Sequence, residues 1–163
     1  MPVVHTAHVV PHSPQQMFDL VADVERYPDF VPLCDGLQVL RRTPPSAQAH
    51  EVIDARMSVG YGPIREHFIS RVTLDRTTLC VNAAYLDGPF RSMDNRWQFT
   101  THEAGGTLVN FYIAYEFKSR MLQAVVGTVF DRAFNRFVAA FEARAHRVYG
   151  DAGGLPDAPP LTV

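Results

Sequence analysis

The stretch Val21-Ala-Asp-Val-Glu-Arg-Tyr-Pro-Asp-Phe-Val-Pro-Leu-Cys34, VADVERYPDFVPLC, begins as the end of an amphipathic helix and runs into two prolines that bracket Phe30 and Val31. Pro28 disfavours helical backbone at Tyr27 and stops the helix there. Residues 28–34 then fit a second, short helical turn. A stiff apolar corner after a helix is either a plug in a core or the lid of something hollow. The flanking sequence decides between them.

Upstream, Ser13 precedes Pro14, and Gln16 follows three residues after the serine. That is an N-cap, a first-turn proline and a capping-box partner in order. Met17, Leu20, Val21 and Val24 follow at helical spacing with Phe18 beside them, which predicts a helix over about 14–25. Before it, VVHTAHVV at 3–10 is β-branched and short, as a strand requires. Downstream, from about 36 to 117, the period changes to two. GLQVLRR is one short strand, and Ile53, Ala55, Met57 and Val59 share a face of the next. Ile64, Glu66, Phe68, Ser70, Val72 and Leu74 share a face of the strand after the GYGP turn at 60–63. Further strands fit about 77–86, 90–101 and 106–117, the last with Val109, Phe111, Ile113, Tyr115 and Phe117 on one side. Hairpin-linked strands of this kind make an antiparallel sheet.

From Ser119 the period returns to 3.6, with Leu122, Val125, Val126, Val129, Phe130, Ala133, Phe134, Phe137, Val138 and Phe141 forming a broad apolar stripe. One helix reaching Tyr149 would be roughly 45 Å long, enough to cross a sheet. The expected class is α+β: a curved antiparallel sheet of about six or seven strands wrapped on a long C-terminal helix, with two short helices after the first strand, a helix-grip arrangement. Residues 1–150 are expected to form a single domain. Residues 151–163, rich in Gly and Pro, are expected to be a flexible tail.

The totals narrow the function. The chain has 163 residues, 47% hydrophobic and 20% charged, with net charge −2, the composition of a soluble globular protein and not of a strongly basic nucleic-acid binder. MPVVHTAHVV has neither the cationic start and apolar run of a secretory signal nor the character of a transit peptide, and no apolar run approaches a membrane span. The expectation is a bacterial cytoplasmic protein, in peripheral contact with the inner membrane at most. Cys34 and Cys80, far apart, read as reduced thiols.

With these elements in place, LVADVERYPDFVPLC resembles the signature of the START-like polyketide cyclase/dehydrase superfamily, in the branch of coenzyme-Q-binding proteins and ribosome-association toxins. GYGPIREHFISRV resembles that family's third-to-fourth strand hairpin, and LDGPFRSMDNRWQF its Gly-Pro-Phe turn and tryptophan-bearing strand. VNFYIAYEFKSRML and FEARAHRVYG resemble the last strand and the end of the C-terminal helix, so the likeness covers residues 3–150. The resemblance implies a hydrophobic tunnel that holds a polyprenyl quinone such as ubiquinone. It implies support of respiratory electron transport as a quinone chaperone, without chemical turnover and with no catalytic cofactor. For bacterial members it also implies a toxin or translation modulator that binds the large ribosomal subunit. A small cyclase or dehydratase is the third class the superfamily name allows.

A quinone site needs an apolar channel, aromatic surfaces and one or two donors. The candidate ligand-binding residues are Phe30 and Val31 on the lid, Met57, Phe68 and Trp97 on the sheet, and Phe111, Ile113 and Tyr115 on the last strand. Val125, Val129 and Phe130 face them from the helix, and Tyr115 and Trp97 can supply a hydroxyl or an indole N–H. Ordinary core packing is the plain alternative for each, since burial is the default use of such side chains. For an enzyme, Glu66, in the parity of Phe68, and Glu116 are the carboxylates of the sheet region; the alternative for each is pairing with an arginine. No Ser-His-Asp or Cys-His set can be assembled, so no catalytic residue is assigned. His5 and His8 point to opposite faces of a strand, which argues against a metal site. Between Lys118 and Arg147 lie six Lys or Arg against Asp131 and Glu142, with Arg132 and Arg136 on one helix face. Such a face can meet RNA or anionic head groups, or be plain solvated surface. Pro28 and Pro32 carry Phe30 and Val31 towards the open mouth of the sheet, which favours a lid over a plug.

Overall fold

The computed structural model describes residues 2–150; the expected tail, 151–163, lies outside the described residues. Strand β1 (Val3–Val10) leads into helix α1 (Pro14–Ala22). Ser13 opens that helix as a capping box: its hydroxyl accepts from the Gln16 N–H at 3.1 Å, and the Gln16 side chain accepts from the Ser13 N–H at 3.0 Å. Met17, Phe18, Leu20 and Val21 are buried beneath it.

The corner comes earlier than its prolines suggest. A 3₁₀ turn occupies Val24–Asp29 with Pro28 inside it, instead of a helical turn over 28–34. Tyr27 explains the shift. Its hydroxyl donates to the Val21 carbonyl at the end of α1, and its ring meets Phe141 edge-on at 5.4 Å. The carbonyl of Tyr27 also accepts from the Phe30 and Val31 N–H groups, at 3.2 and 2.8 Å. These bonds wind the chain tightly before residue 30 and satisfy its backbone there.

Strands β2 (Cys34–Thr43), β3 (Glu51–Tyr61), β4 (Ile64–Asp75), β5 (Cys80–Asp87), β6 (Phe90–Thr101) and β7 (Thr107–Phe117) follow. With β1 they form one antiparallel seven-stranded sheet in the order β1-β7-β6-β5-β4-β3-β2, open at β1 and β2. On β7 the alternating residues Val109, Phe111, Ile113, Tyr115 and Phe117 are all buried, the face their spacing predicts. At the β5–β6 turn, Gly88 has φ +146, and a Cβ there would lie 2.6 Å from Phe68 Cβ. Only glycine lets this turn lie against Phe68.

The C-terminal segment corrects the expectation of one long helix. Helix α2 (Arg120–Asn135) and helix α3 (Phe137–Tyr149) meet at Arg136, whose φ and ψ are −102° and −2°. The Arg136 N–H reaches back to the Ala133 carbonyl at 3.0 Å, three residues instead of four. Just before it, the Asn135 side chain donates to the Asp131 carbonyl at 2.8 Å. A side chain that takes an acceptor of the helical ladder is a recognised cause of a bend, and no Pro or Gly is needed. The stripe of the sequence spans both helices, with Val126, Phe130, Ala133, Val138 and Phe141 buried.

Burial, with the nearby Cys34 and Asp23, pushes the Tyr27 phenol far above its ordinary value. Its contribution to stability is therefore present in full below the unfolded phenol's pKa, about 10, and is lost as pH rises above it. Tyr27→Phe is expected to lower stability in urea at pH 7 by about 0.5–1.5 kcal/mol, the worth of one hydrogen bond. The variant is also expected to lose less stability than the wild type between about pH 9 and 11, read by denaturation at each pH.

Candidate functional site

Between the sheet's inner face and the two C-terminal helices lies a cavity closed on one side by the 3₁₀ corner. Its wall takes Ala55, Met57 and Val59 from β3, Phe68 and Val72 from β4, and Met93 and Trp97 from β6. Phe130 and Phe134 of α2 and Phe137 and Phe141 of α3 close it from above, on either side of the bend at Arg136. The space is narrow: about 80 Å³ is open to the centre of a water-sized sphere. A cavity of that size holds several waters, and a ring with a long tail needs it to widen.

Five of the sequence-predicted ligand residues, Met57, Phe68, Trp97, Ile113 and Phe130, meet on this wall. The other six do not, each for a physical reason. Phe30 lies on the outer side of the corner, edge-on to Phe141 at 4.9 Å and under the Arg144 guanidinium at 5.2 Å. Val31 is buried in the core behind it, and the corner presents Tyr27, Pro32 and Leu33 to the cavity instead. Phe111 packs behind Trp97, with ring centroids 4.7 Å apart. The Tyr115 hydroxyl donates to the Gly127 carbonyl at 3.2 Å and fastens β7 to α2, and burial pushes its phenol up to about 12. Val125 and Val129 belong to the wrong side of α2: the buried line runs through Val126, Phe130 and Ala133, which leaves Val125 56% exposed and Val129 half-buried off the wall. A broad stripe at helical spacing does not say which edge of it faces inward.

The corner is held under local strain. Leu33 adopts φ +67, a left-handed conformation that costs a leucine roughly 1 kcal/mol or more. Its carbonyl accepts from the Gly60 N–H at 3.0 Å, which ties the corner to β3 while the side chain faces the cavity. Cys34 follows, unbonded to Cys80, and burial pushes its thiol up to about 11, too high for a nucleophile at neutral pH.

The polar content of the wall is small. Among the described residues no charged side chain lines it. Glu66, which shares parity with Phe68, lies instead at the hairpin end of β4 beside Phe117 and Val126. Glu116 is on the surface, 3.8 Å from Arg91. Sequence reasoning missed Ser70 and Asn95, which do face the cavity. The sign was available: both are small polar residues at inward positions of strands otherwise apolar on that side. Arg132 and Arg136 are both exposed on the outward side, and neither makes an ion pair among the described residues.

Residues 10–142 match the family described as polyketide cyclase/dehydrase and lipid transport. The chain belongs to this family. Within it, the ribosome association toxin RatA of Vibrio cholerae is 35% identical over 153 residues, covering 93% of this chain and all of the relative. The coenzyme Q-binding protein COQ10 homolog B, mitochondrial, of Xenopus laevis is 32% identical over 146 residues, covering 87% of this chain and 57% of the relative. The solution structure of an 18 kDa protein from Caulobacter crescentus superposes with a TM-score of 0.73 at 36% identity, over 92% of this chain and 99% of that one. The fold is the START-like helix grip of the family, here with two C-terminal helices, α2 and α3.

The orientation of α2 is checked by a pair of substitutions. Val125→Ser is expected to change stability by no more than about 0.5 kcal/mol, as for an exposed position. Phe130→Ala, which empties the wall, is expected to cost about 3–5 kcal/mol, less if the cavity collapses. Equal losses in thermal melts would mean that α2 is rotated.

Proposed function

We propose that this chain binds a polyprenyl quinone of the ubiquinone type in its cavity and presents it without turning it over, as a quinone chaperone that supports respiratory electron transport. One observation carries the reading: an enclosed wall of aliphatic and aromatic side chains with no charged group among the described residues. A flat ring fits between aromatic faces such as Trp97 and Phe134, and an isoprenoid tail needs only apolar surface. The coenzyme Q-binding name of the Xenopus relative and the family's lipid-transport description support the same class of ligand. Turnover by a cyclase or dehydratase would need an acid or base at the ligand, and Glu66 and Glu116 lie off the wall. A chaperone of this kind would collect its cargo by peripheral contact with the inner membrane; no described helix is long and apolar enough to cross one.

A second reading is favoured by a separate observation. Arg132 on α2 and Arg136 at the α2–α3 junction are both exposed, and the Vibrio relative is named for ribosome association. The chain would then bind the large ribosomal subunit through that face, with the cavity serving stability or regulation. Phosphate contacts by exposed arginines weaken steeply with salt.

Protein purified from a ubiquinone-producing host is expected to yield quinone by solvent extraction and mass spectrometry, and added decylubiquinone is expected to raise the melting temperature through linkage. An empty extract together with an unmoved melting temperature would end the quinone reading. For the second reading, the chain is expected to sediment with large ribosomal subunits at low salt, and Arg132→Glu/Arg136→Glu is expected to abolish it. Absence of co-sedimentation at low salt, where charge contacts are strongest, would count against it.

A further inference from the structure

Ser70 is the polar exception in the cavity. It sits mid-strand on β4, opposite Ala55 on one side and Tyr85 on the other, and is only 8% exposed. Its hydroxyl has no side-chain or backbone partner among the described residues, yet the residue lines the cavity. The hydroxyl opens onto the cavity, and an occupant that covered it without matching it would lose about 1–3 kcal/mol, so its place on an otherwise apolar wall favours an occupant that brings a hydrogen-bonding oxygen. Alanine would fit the same pleat, as Ala55 and Ala83 do beside it.

Asn95 is the second polar side chain of the sheet wall. Its Nδ2 donates to the Tyr112 carbonyl at 3.0 Å, which fixes the amide plane and leaves its Oδ1 and second N–H for another group. The register relates the two residues. Asn95 stands opposite Ala83, Ala83 stands opposite Val72, and Val72 is two residues from Ser70 on the same face. Two strand spacings and two residue rises put their Cα atoms roughly 12 Å apart. A ring carrying oxygens at opposite ends fits between two such groups. Both are neutral, so they can match a carbonyl or hydroxyl but cannot compensate a carboxylate or phosphate.

We propose that Ser70, with Asn95 facing it across the sheet, reads the head of the ligand by hydrogen-bonding its uncharged oxygens, and that the cavity thereby accepts neutral carbonyl- or hydroxyl-bearing lipids and refuses anionic ones. The inference rests on the cavity being the ligand site, and it names which lipids enter. A fatty acid would have to bury its carboxylate unpaired or bind protonated, and either route weakens it strongly near neutral pH. The Trp97 indole N–H, also without a hydrogen-bond partner among the described residues, stands on the same wall as a reporter of occupancy.

Trp97 is the chain's one tryptophan, so its fluorescence follows binding directly. The wild type, Ser70→Ala and Ser70→Thr are titrated at pH 8 with decylubiquinone, 1-dodecanol and dodecanoate, the last two sharing one tail. Ser70→Ala is expected to weaken decylubiquinone and dodecanol about 3- to 10-fold, one hydrogen bond's worth, while Ser70→Thr, which keeps the hydroxyl, stays within about 2-fold of wild type. Dodecanoate is expected to bind at least about 100-fold more weakly than dodecanol. Wild-type affinity in Ser70→Ala, with its melting temperature unchanged, overturns the inference, as does dodecanoate binding as tightly as dodecanol. Dodecanol binding that depends on Ser70, with no binding of decylubiquinone, upholds the neutral-head inference and removes the quinone reading.

Discussion

Phe141 is the contact on which the rest of the architecture turns. It is fully buried on α3, and three rings stand edge-on to it: Tyr27 at 5.4 Å and Phe30 at 4.9 Å from the corner, and Trp97 at 4.9 Å from the sheet. Edge-on aromatic contacts have a preferred geometry as well as apolar area, so they set angles and not only distances. Through this one side chain the C-terminal helix, the corner and the inner face of the sheet are fixed relative to one another. Further ring contacts join the sheet to the helices, Tyr115 to Phe134 at 5.1 Å, Phe117 to Phe130 at 5.2 Å and Phe111 to Phe137 at 5.7 Å, and these rings leave unfilled space between them. The cavity is that space.

The same arrangement explains how a narrow cavity could open. The segments that close it are the ones with local irregularity: a 3₁₀ turn with a proline inside it, Leu33 in a left-handed conformation, and a helix interrupted at Arg136. Irregular backbone of this kind has fewer regular hydrogen bonds to break than the interior of a strand or helix. The sheet wall, by contrast, is paired on both sides along β3 to β7. A ligand would therefore displace the corner or the α2–α3 junction and leave the strands in place. Phe30 and Val31 hold the corner to the core, while Tyr27, Pro32 and Leu33 line the cavity.

Much of this was legible in the sequence, because period and capping are local signals. The capping box at Ser13, the alternation on β7 and the glycine-bearing turns specified elements and their inward faces before any tertiary contact was known. What the sequence could not express were choices made by packing. The apolar stripe of the last segment is broad enough that Val125 reads as inward, yet the core takes the line through Val126 and Phe130. The break at Arg136 lies beside a side-chain hydrogen bond of Asn135 to the Asp131 carbonyl, with no proline or glycine to announce it. Phe30 reads as a lid because of its prolines, but Tyr27 tightens the turn and swings Phe30 outward. Ser70 went unnoticed because one small polar residue in a strand ordinarily means nothing; its significance comes only from the apolar wall around it.

The central claim is that a neutral, ring-bearing lipid occupies the space between Trp97, Met57 and the aromatic residues flanking the helix bend. Isotope-filtered NOE spectroscopy of the labelled protein with unlabelled decylubiquinone tests it most directly. The account predicts intermolecular contacts from the ligand to the Met57 methyl and the Trp97 and Phe134 ring protons, all on the cavity wall. Contacts confined to Met121 and Val125, which are 76% and 56% exposed on the outer side of α2, would place the lipid on the surface and contradict it.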